Sequence, residues 1–274
     1  MTPVTDDDLA DFERARFAHD GRERTIFRKG TGPAVIVMAE IPGITPKVAA
    51  FSRRVADIGC TAVVPHLFGV PGKDPAAGNR LGMARYAASS IVPLCVSREF
   101  VVWATNRTSP VIGWLRALAA AEHVRCGGPG VGAIGMCFTG GFALAMATDP
   151  SVVAPVLSQP SLPMGATRGQ RHGIDCSPSD LDAVKGRCQR EGLTVLGLRF
   201  RGDRLSPPGR FGFLREQLGD AFVAVELDDA SANPDAFTKP HSVVTEHLID
   251  EPGQPTRDAL DQVLDLFRRK LLAA

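Results

Sequence analysis

Almost nothing separates the acidic from the basic residues of this chain: 31 Lys and Arg stand against 30 Asp and Glu, for a formal net charge of +1. So even a balance offers no electrostatic pull toward nucleic acid or an anionic membrane, and neither is expected as a partner. Long apolar runs are also missing, and no stretch approaches the roughly 20 apolar residues of a membrane span. The opening "MTPVTDDDLADFERARF" is acidic and lacks the basic-then-apolar order of a secretory signal, so a cytoplasmic location is expected. The six cysteines, Cys60, Cys95, Cys126, Cys137, Cys176 and Cys188, form no CxxC pair. That spacing signals neither a disulfide framework nor a zinc site. No repeat, linker or low-complexity tract divides the sequence, so residues 1–274 read as one domain, with 1–23 as an N-terminal lead segment.

What is present is a rhythm of short apolar runs and helix-prone segments. "RTIFRKG" (Arg24–Gly30) alternates weakly, as an early antiparallel strand does, and "AVIVMAEIPG" (Ala34–Gly43) is a continuous apolar run closed by Pro and Gly. A helix follows over Pro46–Ile58, then a second strand-and-loop at "TAVVPHLFG" (Thr61–Gly69), then a loop at Pro71–Asn79. Leu81–His123 reads as mostly helical, broken at Pro93 and at "RTSPV" (Arg107–Val111). The strand "VGAIGM" and the apolar runs Val152–Pro160, Leu193–Phe200 and Phe222–Ala230 come next, with helices at Ser179–Glu191 and Arg257–Leu272. Strands alternating with helices imply an α/β fold: a mostly parallel central sheet flanked by helices on both faces.

Two motif matches fail on context. "GVGAIG" (Gly130–Gly135) fits GxGxxG, but a dinucleotide fingerprint places its glycines after a strand, and here Val131, Ala133 and Ile134 are the strand. "RGD" at Arg201–Asp203 is a chance match in a chain with no sign of secretion. "GMCFTGG" passes the same test, since it follows a short strand and precedes a helix-prone run. That is the setting of a nucleophile elbow, usually G-x-S-x-G, in which a strained turn lifts the nucleophile clear of the sheet. Here cysteine replaces serine, Thr139 stands two places after it, and the glycines arrive at Gly140 and Gly141. The plain alternative is a buried cysteine on a glycine-rich packing helix.

A thiol nucleophile needs a base to form the thiolate and a third group to orient that base. Asp203 follows the strand "LTVLGLRF" within a few residues and suits the orienting role, against the alternative of a solvated turn residue. For the base, His241 in "KPHSVV" lies in the loop after the last strand, where the order nucleophile, acid, histidine requires it. His247 lies six residues on and remains the rival. His66 sits in an early loop, and His19, His123 and His172 precede the expected strands or fall in polar segments.

"GMCFTGG", "VIVMAEIPGI", "CVSREF" (Cys95–Phe100) and the order Cys137, Asp203, His241 together resemble the dienelactone hydrolase family of single-domain α/β-hydrolases, from about Thr25 to the C-terminal helix. The resemblance implies Cys137 as nucleophile, His241 as its base and Asp203 as the orienting acid. It also implies that Glu40 faces the resting thiol and that the backbone N–H groups of Ile41 and Phe138 form the oxyanion hole. Arg98 matches an arginine that grips a substrate carboxylate. The second such arginine has no counterpart, because "HSVVTEHL" offers Thr245 and Glu246 instead.

The expected activity is hydrolysis of a small-molecule ester or lactone through a thioester, with no cofactor and no metal. A general thiol esterase or thioesterase is the rival enzyme reading. A binding or redox-sensing module that keeps Cys137 as a reactive thiol is the non-catalytic one. Neither the substrate nor the oligomeric state follows from the sequence.

Overall fold

A computed structural model describes residues 5–76, 82, 85–90, 97 and 99–273. Eight strands form one sheet: β1 (Glu13–His19), β2 (Arg22–Gly30), β3 (Ala34–Met38), β4 (Thr61–Pro65), β5 (Val131–Met136), β6 (Val152–Ser158), β7 (Val195–Phe200) and β8 (Phe222–Leu227). Their spatial order is β1-β2-β4-β3-β5-β6-β7-β8. The first two strands pair antiparallel with each other, and β2 pairs antiparallel with β4. Every pairing from β4 through β3 to β8 is parallel. The sheet is therefore mostly parallel, as the alternation of strands and helices implies.

The central strands are covered on both faces, which explains why they read as unbroken apolar runs. All five residues of β3 and all six of β5 are buried. Their side chains divide by the two-residue period of a strand. Ile36, Met38 and Ala133 join one core cluster, while Val35, Val37, Ile134 and Met136 join the other. The first cluster is closed by α2 (Val111–Cys126) through Trp114, Leu115 and Leu118, by α5 (Pro178–Glu191) through Leu181 and Val184, and by α6 (Pro208–Leu218) through Phe211 and Leu214. The second is closed by α1 (Pro46–Asp57) through Val48, Phe51 and Val55, and by α7 (Pro255–Phe267) through Leu260, Val263 and Phe267. Two shorter helices, α3 (Phe142–Met146) and α4 (Arg168–His172), complete the set used below.

Two segments differ from the sequence expectation. The lead segment 1–23 contains β1, and its Leu9 and Phe12 are buried in the second cluster. Within Leu81–His123, the described residues are helical only at 82, over 85–90 and from Val111 onward, and 99–109 is irregular. There Val111 N–H bonds Glu99 O, and Val101 N–H bonds the Ser109 hydroxyl, so short-range loop bonds replace the helical ladder. The GxGxxG match falls as expected on a strand, since Gly132 and Gly135 lie inside β5. Among the described residues, no helix is long and apolar enough to cross a membrane.

Candidate active site

Parallel strands end at a common edge, and the loops leaving that edge converge on Cys137. β5 stops at Met136, and Cys137–Thr139 form a single 3₁₀ turn before α3. Cys137 sits at φ 52°, in the left-handed region that a non-glycine residue occupies at a cost of about 1–3 kcal/mol. Its neighbours hold it there. Cys137 O accepts the N–H groups of Gly140 and Ser161, both at 2.9 Å. Thr139, the departure from the usual elbow pattern, is fully buried; its hydroxyl accepts from Met136 N–H at 3.0 Å and donates to Met38 O at 2.9 Å. That residue straps the elbow to the end of β3. The paired glycines answer close approach on two sides. A Cβ at Gly140 would stand 2.4 Å from Pro160 Cα, and one at Gly141 would stand 1.7 Å from Asp175 Oδ1.

Asp203 and His241 arrive from β7 and β8. Asp203 is buried three residues past β7, and its Oδ1 accepts Leu205 N–H at 2.9 Å. Its Oδ2 accepts from His241 Nδ1 at 2.7 Å. That bond leaves Nε2 as the working atom of the ring, and Nε2 is buried without a well-aligned partner among the described residues. Burial opposes protonation of the ring, but the charge of Cys137 and the Asp203 carboxylate outweigh it and hold the His241 pKa well above 6.5. The structure thus brings Asp203 and His241 together across 38 positions of sequence, and His241 also interacts with Cys137.

The other expected site residues fall as follows. Ile41 lies three positions beyond Met38, the last residue of β3, which pairs with Gly135 of β5, and Phe138 follows Cys137 within the elbow itself. The Phe138 ring packs among Phe68, Phe100 and Phe142, with centroids 5.8, 5.5 and 6.3 Å away. A cavity of about 340 Å³ opens beside that cluster, with Phe68, Phe100, Tyr86 and Glu99 in its wall. Glu40 is buried, and its carboxyl oxygens are held by the hydroxyls of Ser242 (2.5 Å) and Thr245 and by Gln159 Nε2 (3.2 Å). Arg98 lies outside the described residues. Its neighbour Glu99 pairs with Arg22 and, at 2.6 Å, with Arg24.

His247, the rival base, is buried and committed elsewhere. Its Nδ1 accepts from Ser242 N–H and its Nε2 donates to Thr238 O, both at 3.1 Å. Burial lowers its pKa and favours the neutral ring that this pattern requires. Three buried arginines, Arg187, Arg199 and Arg210, also escaped sequence reasoning, and the last two bear on the site. Arg199 donates to Ser206 O and Arg201 O, both at 2.8 Å, which fixes the loop carrying Asp203. Arg210 spans the carbonyls of Pro160, Pro163, Gln170, Gly173 and Leu205, and burial lowers its pKa to about 10. A buried guanidinium needs carbonyls that only the folded chain assembles, and no local pattern announces them. Among the described residues, no cluster of three His, Cys, Asp or Glu is arranged to hold a metal ion.

Among the remaining thiols, burial pushes Cys60 up to about 11 and also raises Cys176 and Cys188. Because the thiolate is the reactive form, brief iodoacetamide treatment should alkylate Cys137 before these three. Peptide mass mapping reads the order, and earlier labelling of Cys60, Cys176 or Cys188 would count against a reactive elbow.

A mostly parallel sheet with its loops gathered around a strand–turn–helix elbow defines an α/β-hydrolase. The model of the dienelactone hydrolase family matches residues 25–163, about half of the chain, and the chain belongs to that family. The match includes Glu40 and the elbow and ends before Asp203 and His241. Solved structures share the fold at low identity. A Klebsiella pneumoniae subsp. pneumoniae MGH 78578 protein assigned as a dienelactone hydrolase has a TM-score of 0.59 at 16% identity, over 94% of this chain and 98% of its own. A dienelactone hydrolase-like promiscuous phosphotriesterase from metagenomic libraries reaches 0.56 at 16% identity, over 95% and 98%. The thioesterase domain of the curacin biosynthetic pathway reaches 0.54 at 10%, over 92% and 99%. No curated protein matches the chain. Family and fold are those of ester hydrolases.

Proposed function

We propose that the chain hydrolyses a small carboxylic ester or lactone through a thioester on Cys137, with His241 as acid and base and Asp203 as its orienting group. The observation that carries this reading is the 2.7 Å Asp203–His241 bond. It turns the other side of the ring toward Cys137, which interacts with His241 and is held at positive φ. In the first half-reaction the thiolate attacks the acyl carbon, and the N–H groups of Ile41 and Phe138 receive the oxyanion. One such donor is worth roughly 100- to 1,000-fold in rate. The C–O bond then breaks and the His241 imidazolium protonates the departing alkoxide. In the second, water gives its proton to His241 and attacks the thioester, releasing the acid and the thiolate. The cavity walled by Phe68 and Phe100 also presents Ser89, Ser90, Ser97 and Glu99, so it offers polar as well as apolar contacts.

Two measurements test this. Rapid quenching with p-nitrophenyl acetate, followed by intact-mass and peptide mapping, should find one acetyl group on Cys137, labile to hydroxylamine. The raised His241 pKa adds a sign. For an alkyl ester, whose alkoxide needs a proton to leave, turnover should fall as pH rises through that pKa, because the imidazolium is lost. For p-nitrophenolate, which leaves unprotonated, acylation should persist above it. Acetyl groups on other residues, or no turnover across a panel of lactones and aryl esters, would reject the hydrolase reading in favour of a binding or redox-sensing module.

A further inference from the structure

The buried polar cluster around Glu40 does not belong to the reaction just described, and its wiring leads to His241. Ser242, which follows His241 directly, donates its hydroxyl to Glu40 Oε2 at 2.5 Å. Thr245 donates to Glu40 Oε1, and Gln159 Nε2 donates to Oε2 at 3.2 Å. Gln159 in turn offers its Oε1 to the Ser158 hydroxyl and to Val243 N–H at 3.4 Å. From the other side, His247 ties Ser242 N–H to Thr238 O. All of Glu40, Gln159, Ser242, Thr245 and His247 are buried. Residues 238–247 contain no helix or strand. The segment that carries His241 is therefore held by these side chains rather than by a backbone ladder.

We propose that Glu40 is a positioning residue that fixes the His241 loop through the Ser242 and Thr245 hydroxyls, and that it acts on catalysis only through the place it gives the imidazole. The assignment rests on the hydrolase reading above and differs from the resemblance, which puts Glu40 against the resting thiol. Three donors already occupy the Glu40 oxygens, and each of them comes from a loop beside His241 or from the end of β6. A buried acceptor left without one of them costs more than the bond itself was worth, so the loop settles where all are satisfied. A misplacement of about 1 Å at the base costs on the order of 100-fold in rate.

The experiment compares Glu40→Ala, Glu40→Gln, Ser242→Ala, Thr245→Val and the double variant Glu40→Ala/Ser242→Ala in the full-length chain. Each is assayed for p-nitrophenyl acetate kinetics and for the pH profile of Cys137 alkylation by iodoacetamide. Positioning predicts a kcat loss of about 10- to 100-fold in Glu40→Ala with KM within about twofold. The double variant should lose little more than the worse single, because both break one connection. Glu40→Gln, whose amide oxygen still accepts from Ser242, should recover part of the rate. The alkylation profile should move with the His241 environment in Glu40→Ala, Ser242→Ala and Thr245→Val alike. If Glu40→Ala fails to fold, the two hydroxyl deletions carry the same test. Additive losses, or a lower melting temperature with kcat and the alkylation profile unchanged, would overturn the assignment. Faster alkylation in Glu40→Gln with unimpaired turnover would overturn it in favour of a carboxylate guarding the thiol. Should the wild type turn over no ester, the hydrolase reading fails on its own, and the alkylation profiles still decide whether Glu40 sets the Cys137–His241 geometry.

Discussion

Cys137→Ala is expected to bring ester turnover down to the uncatalysed background of the folded protein, a loss of about 10⁴- to 10⁶-fold. The size follows from the site. Cys137 holds the φ 52° position of the elbow and interacts with His241, whereas the Thr139 hydroxyl is committed to Met38 O. Cys137→Ser should lose nearly as much. The hydroxyl is a far weaker acid than a thiol, and a pocket built around a larger sulfur holds the shorter oxygen out of line with Nε2. Asp203→Asn should cost about 10⁴-fold, because Asn can offer its N–H to Nδ1 and so select the wrong tautomer. Losing the carboxylate also removes one of the groups that keep the His241 pKa high, so the alkaline fall in alkyl-ester turnover should move to lower pH. The three variants should not be additive, since each disables one machine. Stopped-flow and steady-state rates with matched aryl and alkyl esters measure all of this. Turnover surviving Cys137→Ala with less than a tenfold loss would move the nucleophile elsewhere and remove the reason for reading the elbow as a site.

How much of this was legible in the sequence depends on whether the signal is local. β3, "AVIVM", is visible because burial on both faces demands five apolar residues in a row, and the elbow is visible because its strain and close packing demand small residues at Gly140 and Gly141. The loop placement of Asp203 and His241 followed from the expected strand order, since those residues need only follow the right strands. β1 was hidden for the opposite reason. "ERARFAH" lies at the sheet edge, its residues are exposed or half-buried, and its strand identity comes from pairing with β2 rather than from an apolar face. The helical reading of Leu81–His123 failed over 99–109, where Ser109 and Glu99 set a loop that residue propensity does not encode. Glu40 could be singled out but not assigned its partners: Ser242 and Thr245 stand about 200 residues away, and only the fold brings their hydroxyls to it. Thr139 looked like a flaw in the elbow pattern, whereas its hydroxyl replaces what a glycine would leave open with a bond to Met38 O.

Asp175→Asn is expected to stabilise the protein at alkaline pH and to destabilise it by roughly 1–3 kcal/mol near pH 4, where the wild-type acid is already neutral and only the cost of the buried amide remains. Asp175 is fully buried, and neither oxygen has a well-formed hydrogen bond to another side chain among the described residues. Burial raises its pKa from an ordinary 3.8 to about 7, with its own backbone amide and the charge of Arg210 opposing the rise. The sign follows from counting protons. Between pH 3.8 and about 7 the folded chain holds the Asp175 proton and the unfolded chain does not, so stability falls as pH rises through that window. Above pH 7 both forms are ionised and the whole penalty is present, on the order of 4 kcal/mol. Asn never ionises, but its buried N–H groups need acceptors, which reduces the net gain to roughly 1–3 kcal/mol. For a chain of this length that is a melting temperature higher by about 2–8 °C at pH 8. The rival account makes Asp175 an ionised counterion of Arg210, in which case its removal would destabilise by about 3–5 kcal/mol. Arg210 weakens that rival, since its N–H groups are spent on backbone carbonyls. Urea unfolding of wild type and variant at pH 5 and pH 8 separates the two: a gain that grows with pH supports a strained neutral acid, and a loss at pH 8 makes Asp175 the counterion.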